Sequence, residues 1–585
     1  MHAVSGYGAI VGRLGELHSG RRGRHGASRL GALLAVTGLV AAACGGGGGG
    51  GDGGDAAGPA EAEQHPAEWV RVGLDLANSR AVTGETALDV NRVAGLAPVW
   101  DMRGLNGMSG TPIVSGGVVY FGDWTGHVRA LRSDDGTEVW NRQLGDNYIG
   151  GSVVLDRDNV YAGTFDGRIV ALSRATGEPV WDTQVGDHPK AVIFGSPVVV
   201  DGLVVVGVAS FEVFATGNPN TFRGHIVALD AATGAEQWRF YVTAGDATQA
   251  AGVSIWSSPA IDTDRGVVYI GTGQSYGLPA SPLSDSLLAL DLQTGQEVWH
   301  TQFTADDAWT LTQPTGLDAD VGAMPNLFQV DGKDAVGVGD KAGTYRALDR
   351  ETGEILWEAP LTAGGTQGGV MASAAVADGT VYVTSNDASR EADMVALDVD
   401  TGEEQWRVEV GAHITGPVTW ANGVLYVSDD SGRIAAYDAA DGARLWSYSV
   451  PFPAAGGIAV VDGVIYAGWG WWLAGAPDNP DGGVIAFAVP ADGAPATSQP
   501  AEAERGDDVG ATVYRQRCAA CHGGSGEGGS GPSMVDVGER LSRDEHVTVV
   551  RDGKGNMPAW QDTLTDEEIE AVVDYERDVL ANGSG

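Results

Sequence analysis

The chain has 585 residues, too many for one ordinary core, and its 43% hydrophobic content is that of globular domains. Ninety glycines point to dense tight turns and so to an all-β architecture. A net charge of −42, from 77 acidic and 35 basic residues, speaks against a nucleic-acid partner because phosphates would be repelled.

The N-terminus reads as an export signal over residues 1–43. Arg21, Arg22, Arg24 and Arg29 precede an apolar run from Leu30 to Ala43, and Cys44 follows. A positive region, a short apolar core and small residues before a cut are the marks of a secretory signal. Fourteen apolar residues are too few to span a bilayer. Ala41-Ala-Ala-Cys44 is similar to a bacterial lipoprotein cleavage box, which makes Cys44 the lipidated residue; an ordinary signal peptide with an incidental cysteine is the alternative. The glycines from Gly45 to Gly51 make residues 44–66 a lipid-bearing flexible tether.

From residue 95 to 450 one phrase recurs, Ala-Leu-Asp-x-x-Thr-Gly-x-x-x-Trp with variations. Leu229-Asp-Ala-Ala-Thr-Gly-Ala-Glu-Gln-Trp238 and Leu348-Asp-Arg-Glu-Thr-Gly-Glu-Ile-Leu-Trp357 are two instances. With Trp100, eight tryptophans are spaced 40, 41, 57, 61, 58, 49 and 40 residues apart. Between them lie β-branched and aromatic runs such as Gly117-Val-Val-Tyr-Phe and Val424-Leu-Tyr-Val, bounded by Gly or Asp-Gly turns. Asp-x-x-Thr-Gly between two strands predicts a hairpin turn in which Gly supplies a positive φ. Repeats of this length predict blades of four short strands, and eight of them predict an eight-bladed β-propeller over residues 67–489. Each tryptophan is expected to wedge between neighbouring blades. The three long spacings, within 181–357, mark insertions that should collect on one face.

Ile485 to Val489 reads as the last strand, and residues 490–508 have the composition of a linker. Residues 509–585 turn helical, with candidates at 510–517, 544–551 and 565–580. Thr565 and Glu568 make a capping box, and Ile569, Val572 and Val573 form an apolar stripe. Cys518-Ala-Ala-Cys521-His522 is a c-type haem attachment motif. Two thiols one helical turn apart can add to the two porphyrin vinyl groups, and His522 then becomes an axial iron ligand. Zinc would need further ligands nearby. Met557 in Lys554-Gly-Asn-Met557-Pro558 is the expected second ligand, with Met534 as the alternative. A small all-α cytochrome c domain carrying covalent haem c is therefore expected behind the propeller.

The repeat, with a tryptophan closing each unit, resembles that of the pyrroloquinoline quinone (PQQ)-dependent alcohol dehydrogenases over residues 69–490. Asp75-Leu-Ala-Asn78-Ser79-Arg80 is similar to that family's opening segment. The polyvinyl-alcohol dehydrogenase branch is resembled at Ser210-Phe-Glu212, Thr221-Phe-Arg223-Gly224, Ile255-Trp256-Ser-Ser-Pro259, Gly271-Thr-Gly273 and Asp306-Asp307-Ala308-Trp309. The quinohaemoprotein branch also carries its haem domain at the C-terminus. The resemblance implies PQQ on the propeller axis with Ca²⁺. It places Glu212 and Gln274 at calcium-ligand positions (Gln where the family uses Asn), Trp256 on the quinone plane and Lys341 at the quinone oxygens. The family sets an Asp directly after the tryptophan matching Trp309; Thr310 stands there, which makes Asp307 the nearest acid for a catalytic base. The adjacent-cysteine disulfide of some members is absent.

The function implied is an exported quinohaemoprotein dehydrogenase, lipid-anchored on the extracytoplasmic face of a bacterial membrane. It would oxidise an alcohol and pass electrons through its haem to a soluble cytochrome or respiratory chain. Two alternatives stand beside it: a lipid-anchored propeller scaffold, and an electron relay that uses haem without PQQ. Trp469, Trp471 and Trp472 either wall an apolar pocket or pack the last blade.

Overall fold

In a computed structural model the described residues are 68–585, apart from 146–147, 215–219, 244–249, 367, 390, 471–481 and 491–509, and, near the C-terminus, 511–512, 519–521, 523–525, 527–530, 536, 555–556, 558, 562–563 and 581–585. The expected signal peptide, Cys44, the tether, nearly all of the linker, Trp471, Trp472, Cys521 and Pro558 lie outside the described residues.

Eight antiparallel sheets form an eight-bladed propeller. Blades one to six take residues 113–143, 154–184, 191–241, 260–302, 326–360 and 375–412. Blade seven, residues 419–449, gains Ala81–Val82 as a parallel strand beside Thr419–Ala421. Blade eight joins the two ends of the ring: Ala97–Arg103 pairs antiparallel with Gly483–Ala488. Closure by backbone hydrogen bonds removes the exposed edges an open ring would leave.

The recurring phrase is a lock between blades. Each of the eight tryptophans lies on an outer strand and donates its indole N–H to a backbone carbonyl of the next blade, at 2.9–3.1 Å. The last of these, Trp446 to the Leu96 carbonyl, crosses the closure. For the seven tryptophans from Trp100 to Trp406, the turn glycine of the next blade lies on the indole. From Gly136 to Gly442 these glycines hold φ between +67° and +74°. A Cβ there would come within 2.4–3.0 Å of the tryptophan ring. The turn is braced by its Asp, as where Asp230 Oδ1 accepts from Thr233 N at 2.8 Å and Thr233 Oγ1 at 2.7 Å. Each indole hydrogen bond is worth ~1 kcal/mol, on top of the burial of a large ring.

The opening segment lies along the inner strands around the shaft. The carbonyls of Val70, Leu76, Ala77, Ser79 and Arg80 accept from Leu155, Ile261, Leu327, Val376 and Trp420, in five different blades. Arg80 is wholly buried and donates to Val418 O at 2.7 Å, Thr419 Oγ1 at 2.7 Å and Ile458 O at 3.3 Å, and also to Val72 O. Burial lowers its pKa to about 9. Trp469 is buried, stacked with Phe452 and covered by Arg103, so it packs the last blade.

The C-terminal segment has helices at Val537–Arg540, Arg543–Asp552 and Asp566–Tyr575, with further helical turns at Tyr514–Cys518 and Glu576–Leu580. Ile569, Val572 and Val573 are buried against Val547, Val550 and Tyr514. The capping box at Thr565 is present, and a second one, Ser542 with Glu545, opens the preceding helix. Among the described residues no helix is long and apolar enough to cross a membrane.

Candidate active site

The insertions do collect on one face. Each blade's second strand and the next blade's inner strand meet at the same end of the ring, and the candidate residues sit at those junctions. Glu212 follows Leu203–Ser210, Gln274 follows Val267–Gly271 and Lys341 follows Lys333–Gly339. Trp256 precedes Ala260–Asp262, and residues 302–326 lead into Asn326–Val330. Isolated bridges stitch these loops side by side: Arg223 to Gly252, Gly252 to Ser275, and Ser275 to Ala308. Val253, buried in the middle of them, holds φ +56°, a strained value for a β-branched residue.

The electrostatic centre is Lys341. Its Nζ lies 2.8 Å from Asp318 Oδ2 and 3.2 Å from Asp320 Oδ2, and its backbone N–H donates to Asp320 O at 2.9 Å. Burial works against the ammonium, but the charges of Asp318 and Asp320 outweigh it and raise the lysine pKa. Asp318 is 1% exposed and its Oδ1 has no hydrogen-bond partner. Burial pushes it up to about 7 against the pull of Lys341. Asp285, fully buried with neither oxygen hydrogen-bonded, is raised well above the carboxylate range by burial and by Asp320, Asp307 and Asp318.

Both oxygens of Asp307 accept from backbone N–H groups. Oδ1 accepts from Leu317 N and Oδ2 from Ala319 N, both at 2.8 Å. With both oxygens held, Asp307 clamps the loop on either side of Asp318. Thr310 is buried in a small hairpin, Trp309–Thr310 against Gln313–Pro314, after which the chain returns to the site at Asp318. Glu212 Oε2 accepts from Thr221 N at 2.9 Å and Phe222 N at 2.7 Å. Gln274 donates its backbone N–H to Asp320 Oδ1 at 2.8 Å and its amide to Trp309 O at 3.4 Å, so its Oε1 is turned to neither. Trp256 is half-buried among Phe165, Phe194 and Phe211. Gly322 packs so tightly on its six-membered ring that a Cβ would come within 1.7 Å. Among the described residues no three His, Cys, Asp or Glu side chains converge as a ready metal cage. Even so, Asp318 and Asp320 face Lys341 with Asp307 close by, more carboxylates than the one ammonium can balance, which suits a hard oxygen-seeking cation that also draws on amide oxygen.

In the C-terminal segment Cys518 is buried in the helical core. His522 Nδ1 lies 2.8 Å from Pro532 O. A carbonyl only accepts, so Nδ1 carries the proton and Nε2 keeps its lone pair for iron. Gly531 lies on the imidazole, where a Cβ would come within 2.7 Å. Met534 is buried in the core, whereas Met557 is half-buried at its edge. The Nδ1-protonated tautomer of His522 is the one an axial haem ligand requires.

Comparison with known proteins fits this geometry. The family described as glucose/ethanol/alcohol dehydrogenase, beta-propeller domain, matches residues 86–373, which hold every propeller site residue named above. Over those residues the chain is similar to the PQQ-dependent dehydrogenases. It is 28% identical over 402 residues to a polyvinylalcohol dehydrogenase of Pseudomonas sp., covering 61% of this chain and 56% of that one. It is 25% identical over 675 residues to the quinohemoprotein alcohol dehydrogenase ADH IIB of Pseudomonas putida, covering 89% and 94%. The solved structure of quinohemoprotein alcohol dehydrogenase ADHIIG from Pseudomonas putida shares the fold, with a TM-score of 0.64 at 20% identity over 88% of this chain and 96% of that one. The chain spans about half the length of the polyvinylalcohol dehydrogenases it matches. A second family, outer membrane protein assembly factor BamB, matches residues 341–568.

The sequence singles out Glu212, Trp256, Gln274 and Lys341, and the fold brings them to one face. The sequence motifs did not mark out Asp318, Asp320 or Asp285. The available signal was Asp318-Ala-Asp320, paired acids at the threshold of an inner strand in the same stretch as the insertions.

Proposed function

We propose that this protein is an exported dehydrogenase that uses PQQ and Ca²⁺ to oxidise an alcohol and passes the electrons to a haem c on its own C-terminal segment. The observation that carries the reading is Asp318, a buried carboxylate with one oxygen unpartnered, 2.8 Å from a buried lysine. A scaffold gains nothing from such a group, because buried charge without full pairing costs stability.

PQQ, when bound, supplies the electron-accepting carbonyl chemistry. Trp256, held by Gly322, offers the flat apolar surface for its ring. Glu212 and Gln274 offer oxygen to the cation. Lys341, kept charged by Asp318 and Asp320, presents positive charge where oxygen charge develops. Asp318 takes the hydroxyl proton on Oδ1, its pKa lifted by burial into the range where a general base works best. Asp307 fixes the loop that presents it. Cys518, Cys521, His522 and Met557 hold the haem, whose thioether ligand raises its potential for accepting electrons.

The signal and Cys44 support export and lipid anchoring, with a soluble cytochrome or respiratory chain as acceptor. The scaffold reading draws on the second family match, but Glu212, Trp256, Gln274 and Asp318 all lie outside residues 341–568. The test is to load the haem-containing protein with PQQ and Ca²⁺ and offer primary, secondary and polymeric alcohols, including polyvinyl alcohol. Dye reduction that needs both additions supports the enzyme. No PQQ binding and no turnover across the panel would leave the scaffold reading ahead.

A further inference from the structure

We infer that His188 is a positioning residue for Glu212: it steers the one carboxylate oxygen that the protein backbone leaves open to a cation. The inference rests on the proposed role of Glu212 as a cation ligand and adds a residue to it.

His188 lies in the connection between blades two and three, ahead of Ala191–Val192. That short strand pairs with the end of Leu203–Ser210, and Phe211 N donates to Lys190 O at 3.1 Å. The histidine loop and the Glu212 turn are therefore built as one unit. The ring itself is held on three sides. Lys190 N–H donates to Nδ1 at 3.2 Å, so in the neutral ring the proton resides on Nε2. Nε2 faces Thr221 Oγ1 at 3.1 Å and Glu212 Oε1 at 3.4 Å. The ring edge meets Phe222 at a centroid distance of 5.9 Å.

The two oxygens of Glu212 have unequal surroundings. Oε2 is saturated by the backbone N–H groups of Thr221 and Phe222. Oε1 meets only His188 Nε2 among the described residues. The Nε2–H, hydrogen-bonded to Thr221 Oγ1, thus stands 3.4 Å from the oxygen that would bind a cation and biases its direction through the field of the N–H dipole. Thr221 ties the two ends together, since its N–H grips Glu212 and its hydroxyl meets His188. Partners that orient a metal ligand in this way typically contribute 10–100-fold to metal affinity.

The test compares His188→Ala, His188→Gln and Glu212→Gln with the unaltered protein. Each is titrated with Ca²⁺ by calorimetry in saturating PQQ, with a thermal melt alongside. The expected results are loss of binding in Glu212→Gln, ~10–100-fold weaker binding in His188→Ala, and recovery to within a few-fold in His188→Gln. The glutamine amide can place a donor N–H where Nε2 stood. Weak binding in Glu212→Gln with unchanged binding in His188→Ala overturns the inference and leaves the cation site intact. Equal weakening in His188→Ala and His188→Gln overturns the donor role. Unchanged binding in Glu212→Gln overturns the cation site itself, and the inference with it.

Discussion

Replacing Asp318 by Asn keeps the size and shape of the side chain and removes both the base and one of the two charges that face Lys341. The fold should survive, because Asp320 Oδ2 still lies 3.2 Å from Nζ and the Asp307 clamp is untouched. Losing a positioned general base costs ~10²–10⁴ in kcat, equivalent to ~3–5 kcal/mol of barrier. KM should move much less. In the unaltered protein burial places Asp318 at about 7, and a bound cation can only lower it. A base must be deprotonated, so kcat/KM should rise with pH along an acid limb centred at or below pH 7. Initial rates with an artificial electron acceptor, in parallel with a thermal melt, provide the assay. A loss under tenfold in Asp318→Asn, beside a loss of hundreds-fold in Asp307→Asn at equal stability, would refute the assignment and return the role to Asp307.

Calcium binding should tighten between pH 6 and pH 8 and release protons, because the cation selects the ionised form of a group that burial holds at about 7; calorimetry in two buffers of different ionisation enthalpy measures this. Gly402→Ala should destabilise the propeller by ~2–4 kcal/mol in a denaturant melt, since it forces a Cβ into φ +71° and within 2.5 Å of Trp357. Trp357→Phe, which removes the 3.0 Å hydrogen bond to Val399 O, should cost less. Met557→Leu should lower the haem potential and alter its spectrum, whereas Met534→Leu, in the helical core, should change stability alone; spectra and redox titration separate the two.

The parts legible in the sequence were those set by repetition. Eight tryptophans record an indole hydrogen bond made eight times around a ring, seven of them under a Thr-Gly or Asp-Gly turn of the next blade, so their spacing alone gives blade number. The cysteine–histidine motif stands out in the sequence because haem attachment would need that local spacing, though Cys521 lies outside the described residues. The acids were harder. Asp307 stands two residues before Trp309, where the local pattern offers a base, and only the fold shows its carboxylate accepting from the amides of Leu317 and Ala319. Asp318 is brought back by a hairpin whose path no local pattern announces. Whether a carboxylate is clamped or free depends on which backbone N–H groups reach it, and that is a property of the folded loop. The Arg80 contacts to blades seven and eight, across 338 and 378 residues, are equally silent in the chain.

In the proposed reaction an alcohol loses two electrons at the Trp256 face, and they reach the haem iron of the same polypeptide one at a time, the first leaving to the downstream acceptor before the second arrives. Stopped-flow mixing of PQQ- and Ca²⁺-loaded, oxidised protein with alcohol, followed at the haem absorption bands, measures this directly. Haem reduction is expected at a rate independent of protein concentration, slowed at least a hundredfold in Asp318→Asn. Haem that stays oxidised with every alcohol while PQQ is bound, or a rate proportional to protein concentration, would contradict the proposed reaction.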